Sequence, residues 1–314
     1  MKQSGNIAKI IICMLMLMLP VPFFLLAAQE QKEKTSGITL NDTQKTMFRE
    51  FVKRLQDHPG FDHSASTAEL PEWSYSGPED PALQQLVKQH NLKKVAGNGP
   101  EIQQMLNLME WVHRLLSRDG EIGNPAVLNT PAIIEFVNNG DRSVNCRIKA
   151  IVLNEALLSL GFKSRRISFL PSVFDSDSHA IVTVFCEAKQ KWICMDPTFN
   201  TYFFNDNGDI LGYLEIRDKY KSGEIPRFRH IAITPEWALM LNGKPFETYD
   251  AWYAVYMAKN CFRAACPLKS EFDYESSDSW ERFYLSPTGY RPEDMGQPLK
   301  FFTGNAKYFF KKPE

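Results

Sequence analysis

A chain of 314 residues, 44% hydrophobic and 23% charged, has enough apolar content to bury one large core or two smaller ones, which excludes wholesale disorder. Its 36 Lys and Arg against 37 Asp and Glu leave a formal net charge of −1, without the basic footprint of nucleic-acid binders, so nucleic acid is set aside as a partner.

Residues 1–28 read as an address. Lys2 and Lys9 precede an uncharged run from Ile10 to Ala28, and Leu26-Ala27-Ala28 before Gln29 has the small residues of a cleavage site. The run exceeds the ~7–15 residues of a signal core and approaches the ~20 of a membrane span, while Pro20 and Pro22 favour a break. A cleaved signal peptide is expected, with a retained N-terminal membrane anchor as the alternative. Either one exports the protein, making it secreted, periplasmic or cell-surface.

Residues 29–80 read as a linker and N-terminal extension, with an amphipathic helix over Thr43 to Leu55 and a Pro-, Gly- and Ser-bearing loop after His58. A core is expected over 81–221. It starts with helices over Pro81 to His90 and over Glu101 to Arg118, where Ile102, Met105, Leu106, Met109 and Val112 recur at helical spacing. A further helix spans Pro131 to Asn138, ended by Asn139-Gly140 in a left-handed turn. The clearest helix runs from Cys146 to Leu160, capped by Ser143 or Asn145 and stopped by Gly161. Strand-like runs follow over Arg166–Leu170, His179–Phe185, Trp192–Met195, Tyr202–Phe204 and Ile210–Ile216. A buried helix leading into an antiparallel sheet is an α+β arrangement. Residues 222–314 read as a C-terminal extension packed on the core, with an aromatic-rich helix over Asp250 to Phe262.

Three short stretches carry chemistry: Asn145-Cys146-Arg147 opening a helix, Ser178-His179-Ala180 opening a strand, and Met195-Asp196-Pro197-Thr198 closing one. A cysteine acts as a nucleophile only as the thiolate, which needs a positive environment, a neighbouring base and a group that orients that base. In the first turn of its helix, Cys146 meets the dipole and backbone amides that favour negative charge. His179 would be the base and Asp196 the orienting acid. The Cys146 amide would serve a developing oxyanion, with Asn145 as a second donor.

At these residues the chain resembles the transglutaminase-like superfamily, which has a papain-like fold. The family's Cys, apolar helix and Gly-x-x-x-Arg are matched by Cys146, its helix and Gly161-Phe162-Lys163-Ser164-Arg165. Its His-Ala strand is matched by His179-Ala180-Ile181, and its Trp-x-x-x-Asp-Pro-Thr by Trp192 to Thr198. Met109 to His113 resembles the helix upstream of the nucleophile, and the likeness covers roughly Pro81 to Lys221. Val144 stands where the family commonly has Gly, and Ile181 where it has an aromatic residue, so the pocket walls differ while the three chemical positions are kept. The resemblance implies a thiol enzyme acting on peptide or protein amides through a thioester, by hydrolysis or amide transfer. The alternative is a noncatalytic binding or scaffold module of the same fold. Arg165, the family's arginine after the helix, is expected to bond the backbone or an acid beneath the site.

Arg142, Lys149, Lys163 and Arg166 read as solvated charge. His58, His63, His90, His113 and His230 form no metal-ligand spacing, and Asn205 to Asp209 reads as a hairpin turn, so no metal or cofactor is expected. After export, an odd number of cysteines (146, 186, 194, 261 and 266) would leave one thiol free. Cys186–Cys194 across a hairpin is the better disulfide candidate and Cys261–Cys266 the other, with full reduction as the alternative.

Overall fold

A computed structural model describes residues 37–116, 125–140, 143–172, 177–230, 239–290, 293–294, 297–298 and 300–314. Residues 38–314 form one unit, and the segment 1–28 lies outside the described residues, as does Arg142. Among the described residues no helix is long and apolar enough to cross a membrane.

The centre of the unit is an eight-stranded sheet built from β1 (Ser164–Leu170), β2 (His179–Cys186), β3 (Lys191–Asp196), β4 (Thr201–Phe204), β5 (Arg227–His230), β6 (Arg263–Pro267), β7 (Arg282–Leu285) and β8 (Phe301–Thr303). Its spatial order is β8-β7-β6-β1-β2-β3-β4-β5, with only β7 and β8 parallel. Mixed helices around a mainly antiparallel sheet are compatible with the α+β class. Every residue of β1 and β2 is buried, because both faces are covered by helices.

On one face lies α6 (Cys146–Ser159), backed by α2 (Pro81–His90), α3 (Leu92–Ala96), α4 (Glu101–Leu115) and α5 (Thr130–Asn138). The other face packs against α1 (Asp42–Asp57), α7 (Tyr213–Lys221), α8 (Tyr249–Asn260) and the short α9 (Ala306–Phe309). Segments after residue 222 therefore supply four of the eight strands and the helix α8.

Local chemistry explains the helix that positions the site. The Asn145 side chain caps α6 by accepting from Ile148 N at 3.2 Å. At the far end Gly161 adopts φ +88°, letting Phe162 N reach Leu157 O (3.1 Å) and Gly161 N reach Leu158 O (2.9 Å). That pair of bonds closes a helix end in the left-handed turn glycine permits. From Ile148 to Ser159 every α6 side chain is buried, as expected of a helix enclosed on all sides.

Three sequence expectations are corrected. The run Ile210 to Ile216 is not a strand: Ile210 makes an isolated bridge to Phe204, and Glu215 accepts from Gly212 N at 2.8 Å to start α7. The apolar residues Tyr213, Ile216 and Tyr220 bury one side of that helix, a spacing of three to four that a strand cannot use. Asn139 closes α5 with right-handed geometry, φ −79°. Lys149 and Arg166 are not solvated but 1% and 2% exposed, since both lie in the interior between helix and sheet.

The disulfide expectation also fails. All five cysteines from 146 onward are free. Cys186 pairs with Lys191 and Cys194 with Thr183 across the β2–β3 hairpin, an odd offset that sends the two side chains to opposite faces. Cys186 belongs to the core beneath α6 and Cys194 to the core beneath α8.

Candidate active site

The end of the sheet where β2 begins and β3 finishes brings together the residues singled out by their order in the chain. His179 opens β2 and Asp196 closes β3. Adjacent antiparallel strands place a first residue beside a last one, and both side chains are buried. His179 Nε2–H donates to Asp196 Oδ2 at 2.6 Å, a charge-assisted length.

Asp196 is richly held. Its Oδ2 also accepts from the Tyr253 hydroxyl at 2.9 Å, while Oδ1 accepts from the amides of Thr198 (2.9 Å) and Phe199 (3.4 Å). Burial works against the carboxylate, yet His179 and these donors outweigh it and hold the acid below its ordinary value. The turn carrying Asp196 is fastened from α4, where His113 Nδ1–H donates to the carbonyls of Pro197 and Thr198, each at 3.2 Å. Burial and the nearby Lys149 ammonium keep His113 below the usual imidazole value.

Cys146 begins α6, half-buried, with Sγ 4.0 Å from the carbonyl oxygen of Ser178, the residue before His179. Nδ1 of His179 has no hydrogen-bond partner at full contact distance among the described residues, but the Cys146 thiol lies near enough to act on the ring. Burial opposes a charged imidazole. The Asp196 charge and hydrogen bond, followed by Cys146, overcome that penalty and push the His179 pKa up to about 10. The other four cysteines differ in kind: burial raises the thiols of Cys186, Cys194 and Cys261, and pushes Cys266 up to about 11.

The imidazole is boxed in by rings. Phe199 stacks on it at 5.2 Å between centroids, and Tyr256 of α8 meets it edge-on at 5.4 Å. The Tyr256 hydroxyl donates to Asp177 Oδ1 (3.1 Å) and Ser178 O (3.3 Å), and Lys259 Nζ donates to Asp177 O at 3.0 Å, tying the strand entry to α8. Trp252 lies against Tyr256, centroids 4.7 Å apart.

The Asn145 side-chain oxygen is occupied as the α6 cap. Arg165 is fully buried at a distance from this chemistry. Its guanidinium lies between the rings of Trp73 (4.0 Å) and Trp192 (4.1 Å), and Nη1 donates to Phe309 O at 2.9 Å. Arg147, next to the thiol, pairs with Glu275 at 2.8 Å and lies 4.7 Å from the Trp280 ring. Arg166 pairs with the same Glu275 at 2.6 Å. Burial opposes the Glu275 charge, but the two arginines hold its carboxyl below the ordinary value.

Sequence reasoning missed Tyr253, Tyr256, Phe199 and His113. The first two stand three residues apart in the run Tyr249, Trp252, Tyr253, Tyr256, whose helical spacing signals one buried aromatic face but not what that face meets.

No family model matches the chain, and no curated protein matches it. Among solved structures, it is similar to a "Putative Cysteine Protease from Cytophaga hutchinsonii", with a TM-score of 0.28 and 15% identity over 53% of this chain and 55% of that one. The chain thus spans about half the length of that protein, a likeness too slight to assign fold or chemistry.

Proposed function

We propose that this protein is a thiol-dependent enzyme of transglutaminase-like kinship that attacks peptide or protein amides, with Cys146 as nucleophile, His179 as base and Asp196 as orienting acid. The observation that carries the reading is the buried 2.6 Å bond from His179 to Asp196, with the Cys146 thiol beside the same ring. The order of the three motifs supports it independently. An exported destination fits the residues at 1–28.

In this reading the imidazolium and thiolate form an ion pair, and the thiolate attacks the amide carbonyl carbon. A C–S bond forms as the carbonyl π pair moves to oxygen, facing the first-turn amides of α6, which have no intrahelical acceptor. Collapse restores the carbonyl and breaks the C–N bond, and the departing amine takes its proton from His179. Water or a second amine then attacks the thioester carbon and gives a proton back to His179; the new C–O or C–N bond forms and the C–S bond breaks, releasing the Cys146 thiolate beside the imidazolium, so hydrolysis and amide transfer share one machinery.

A noncatalytic module would call for a broken or covered triad. Partial exposure of Cys146 beside a buried, imidazole-bonded Asp196 favours the enzyme, because the nucleophile must meet substrate and the orienting acid need not. The test compares the native protein with Cys146→Ala, using fluorogenic peptide amides, amine acceptors and a covalent thiol-directed amide probe. The expected result is labelling at Cys146 and loss of turnover by more than about a thousandfold in a variant that stays folded. Asp196→Asn should lose less, because the thiol remains while imidazole orientation weakens. A folded Cys146→Ala protein with native turnover would refute the mechanism.

A further inference from the structure

Helix α8 carries a side chain that the amide-attacking reading leaves without a part. The Tyr253 hydroxyl donates to Asp196 Oδ2 at 2.9 Å, on the same oxygen that receives His179 Nε2. We propose that Tyr253 is a positioning residue, which holds Asp196 ionised and aimed at His179 from outside the segment 81–221 that carries the three motifs. The assignment rests on the reading of Cys146, His179 and Asp196 as a triad.

The donor is rigid. Its ring is stacked on Phe203 (5.7 Å, 20°) and Tyr249 (5.6 Å, 17°) and met edge-on by Phe199 at 5.6 Å, so little rotamer freedom remains to be lost when the hydrogen bond forms. Burial raises the phenol well above its ordinary value, so it stays protonated and can only donate to a carboxylate. A buried anion deprived of one donor meets no water to replace it. The titratable groups facing Asp196 are His179 from β2, Tyr253 from α8 and His113 from α4. Lys149 acts on His113 and Cys146 on His179 from α6. Of these, His179 and Tyr253 contact the Asp196 carboxylate. Removing the hydroxyl makes Asp196 harder to ionise, so on acidification the His179–Asp196 pair should come apart at a higher pH.

The experiment uses the full chain with Tyr253→Phe and two readouts. One is the titration of the Asp196 carboxyl by carbon NMR. The other is the pH dependence of Cys146 alkylation by iodoacetamide. The Asp196 midpoint and the acid limb of alkylation should both move up by about one to two pH units, the equivalent of a lost hydrogen bond to a charged group. Tyr256→Phe, one turn along and bonded to Asp177 and Ser178 instead, should leave the Asp196 midpoint in place, as a general loosening of α8 would not. Difluorotyrosine at position 253, a stronger donor, should move the midpoint down and decides the matter if the phenylalanine variant does not fold. A folded Tyr253→Phe protein with an unmoved Asp196 midpoint overturns the proposal. If Cys146 in the native protein alkylates like an ordinary thiol while the Asp196 midpoint still moves, the enzyme reading falls and the coupling of Tyr253 to Asp196 stands.

Discussion

Five thiols from Cys146 onward share one chain and one compartment, and their surroundings separate them. Cys146 is half-buried at a helix start, beside an imidazole whose charge is favoured. Each of the others is buried, with its thiolate penalised. Reactivity follows thiolate fraction and access together. Brief treatment of the native protein with a thiol reagent at neutral pH should therefore modify Cys146 first, while Cys186, Cys194, Cys261 and Cys266 react only after denaturation, without any reductant. Peptide mapping checks this, and recovery of a bridged Cys186–Cys194 peptide would contradict the opposite-face placement. Cys146, His179 and Asp196 were legible in the chain because each opens or closes a local element. Tyr253 was not, since its partner Asp196 lies 57 residues away and nothing near Tyr253 in sequence points to that carboxylate.

At the level of elements, β1 shows how one buried arginine can serve structure alone. Arg165 alternates with Arg166 along the strand, so the two leave by opposite faces. Arg166 goes to Glu275 on the α6 side, whereas Arg165 enters a cage of Trp73, Trp192 and the α9 carbonyl of Phe309. The flat guanidinium fits between two rings in a way an ammonium cannot. Arg165→Lys should destabilise the fold by about 2 kcal/mol and Arg165→Ala by roughly 3 kcal/mol, through lost stacking and packing. Amide turnover per folded molecule should stay within about twofold, as the guanidinium does not reach the thiol. Urea unfolding and active-site titration measure the two quantities. The expected backbone bond of Arg165 is present, but to Phe309 in an aromatic cage of residues 73, 192 and 309 away from the candidate site, which only the fold assembles.

For the whole molecule, buried ionisable groups give stability an opposing pair of slopes. Asp196 and Glu275 lie below their ordinary values of 3.8 and 4.5, so their contribution is complete above those values and is lost as pH falls through the depressed ones. Glu155, buried and accepting from Thr130 N and Asp273 N, is driven by burial from 4.5 up to about 7. Its contribution is complete below 4.5 and lost as pH rises through 7. His179 behaves likewise between 6.5 and about 10. Stability should peak near the point where the acid slope has ended and the Glu155 slope begins, then decline toward pH 8 by on the order of 5 kcal/mol, roughly 3 from Glu155 and roughly 2 from His179. Urea midpoints at successive pH values test this. Glu155→Gln, which cannot titrate, should flatten the segment from pH 4.5 to 7, and an unchanged slope would assign it to other groups.

What the chain determined by itself is local: a capped helix beginning at Cys146 and stopped at Gly161, and strands that start at His179 and end at Asp196. These follow from hydrogen bonds and backbone preferences reaching no more than a few residues. Tertiary structure alone decided that Lys149 and Arg166 are buried, that Cys186 and Cys194 face apart, that Ile210 to Ile216 turns into α7, and that α8 closes over His179 and Asp196. Each of those outcomes depends on strand register or on helix packing across the sheet, where the partners are distant in sequence and a single-residue shift would send every side chain to the opposite face.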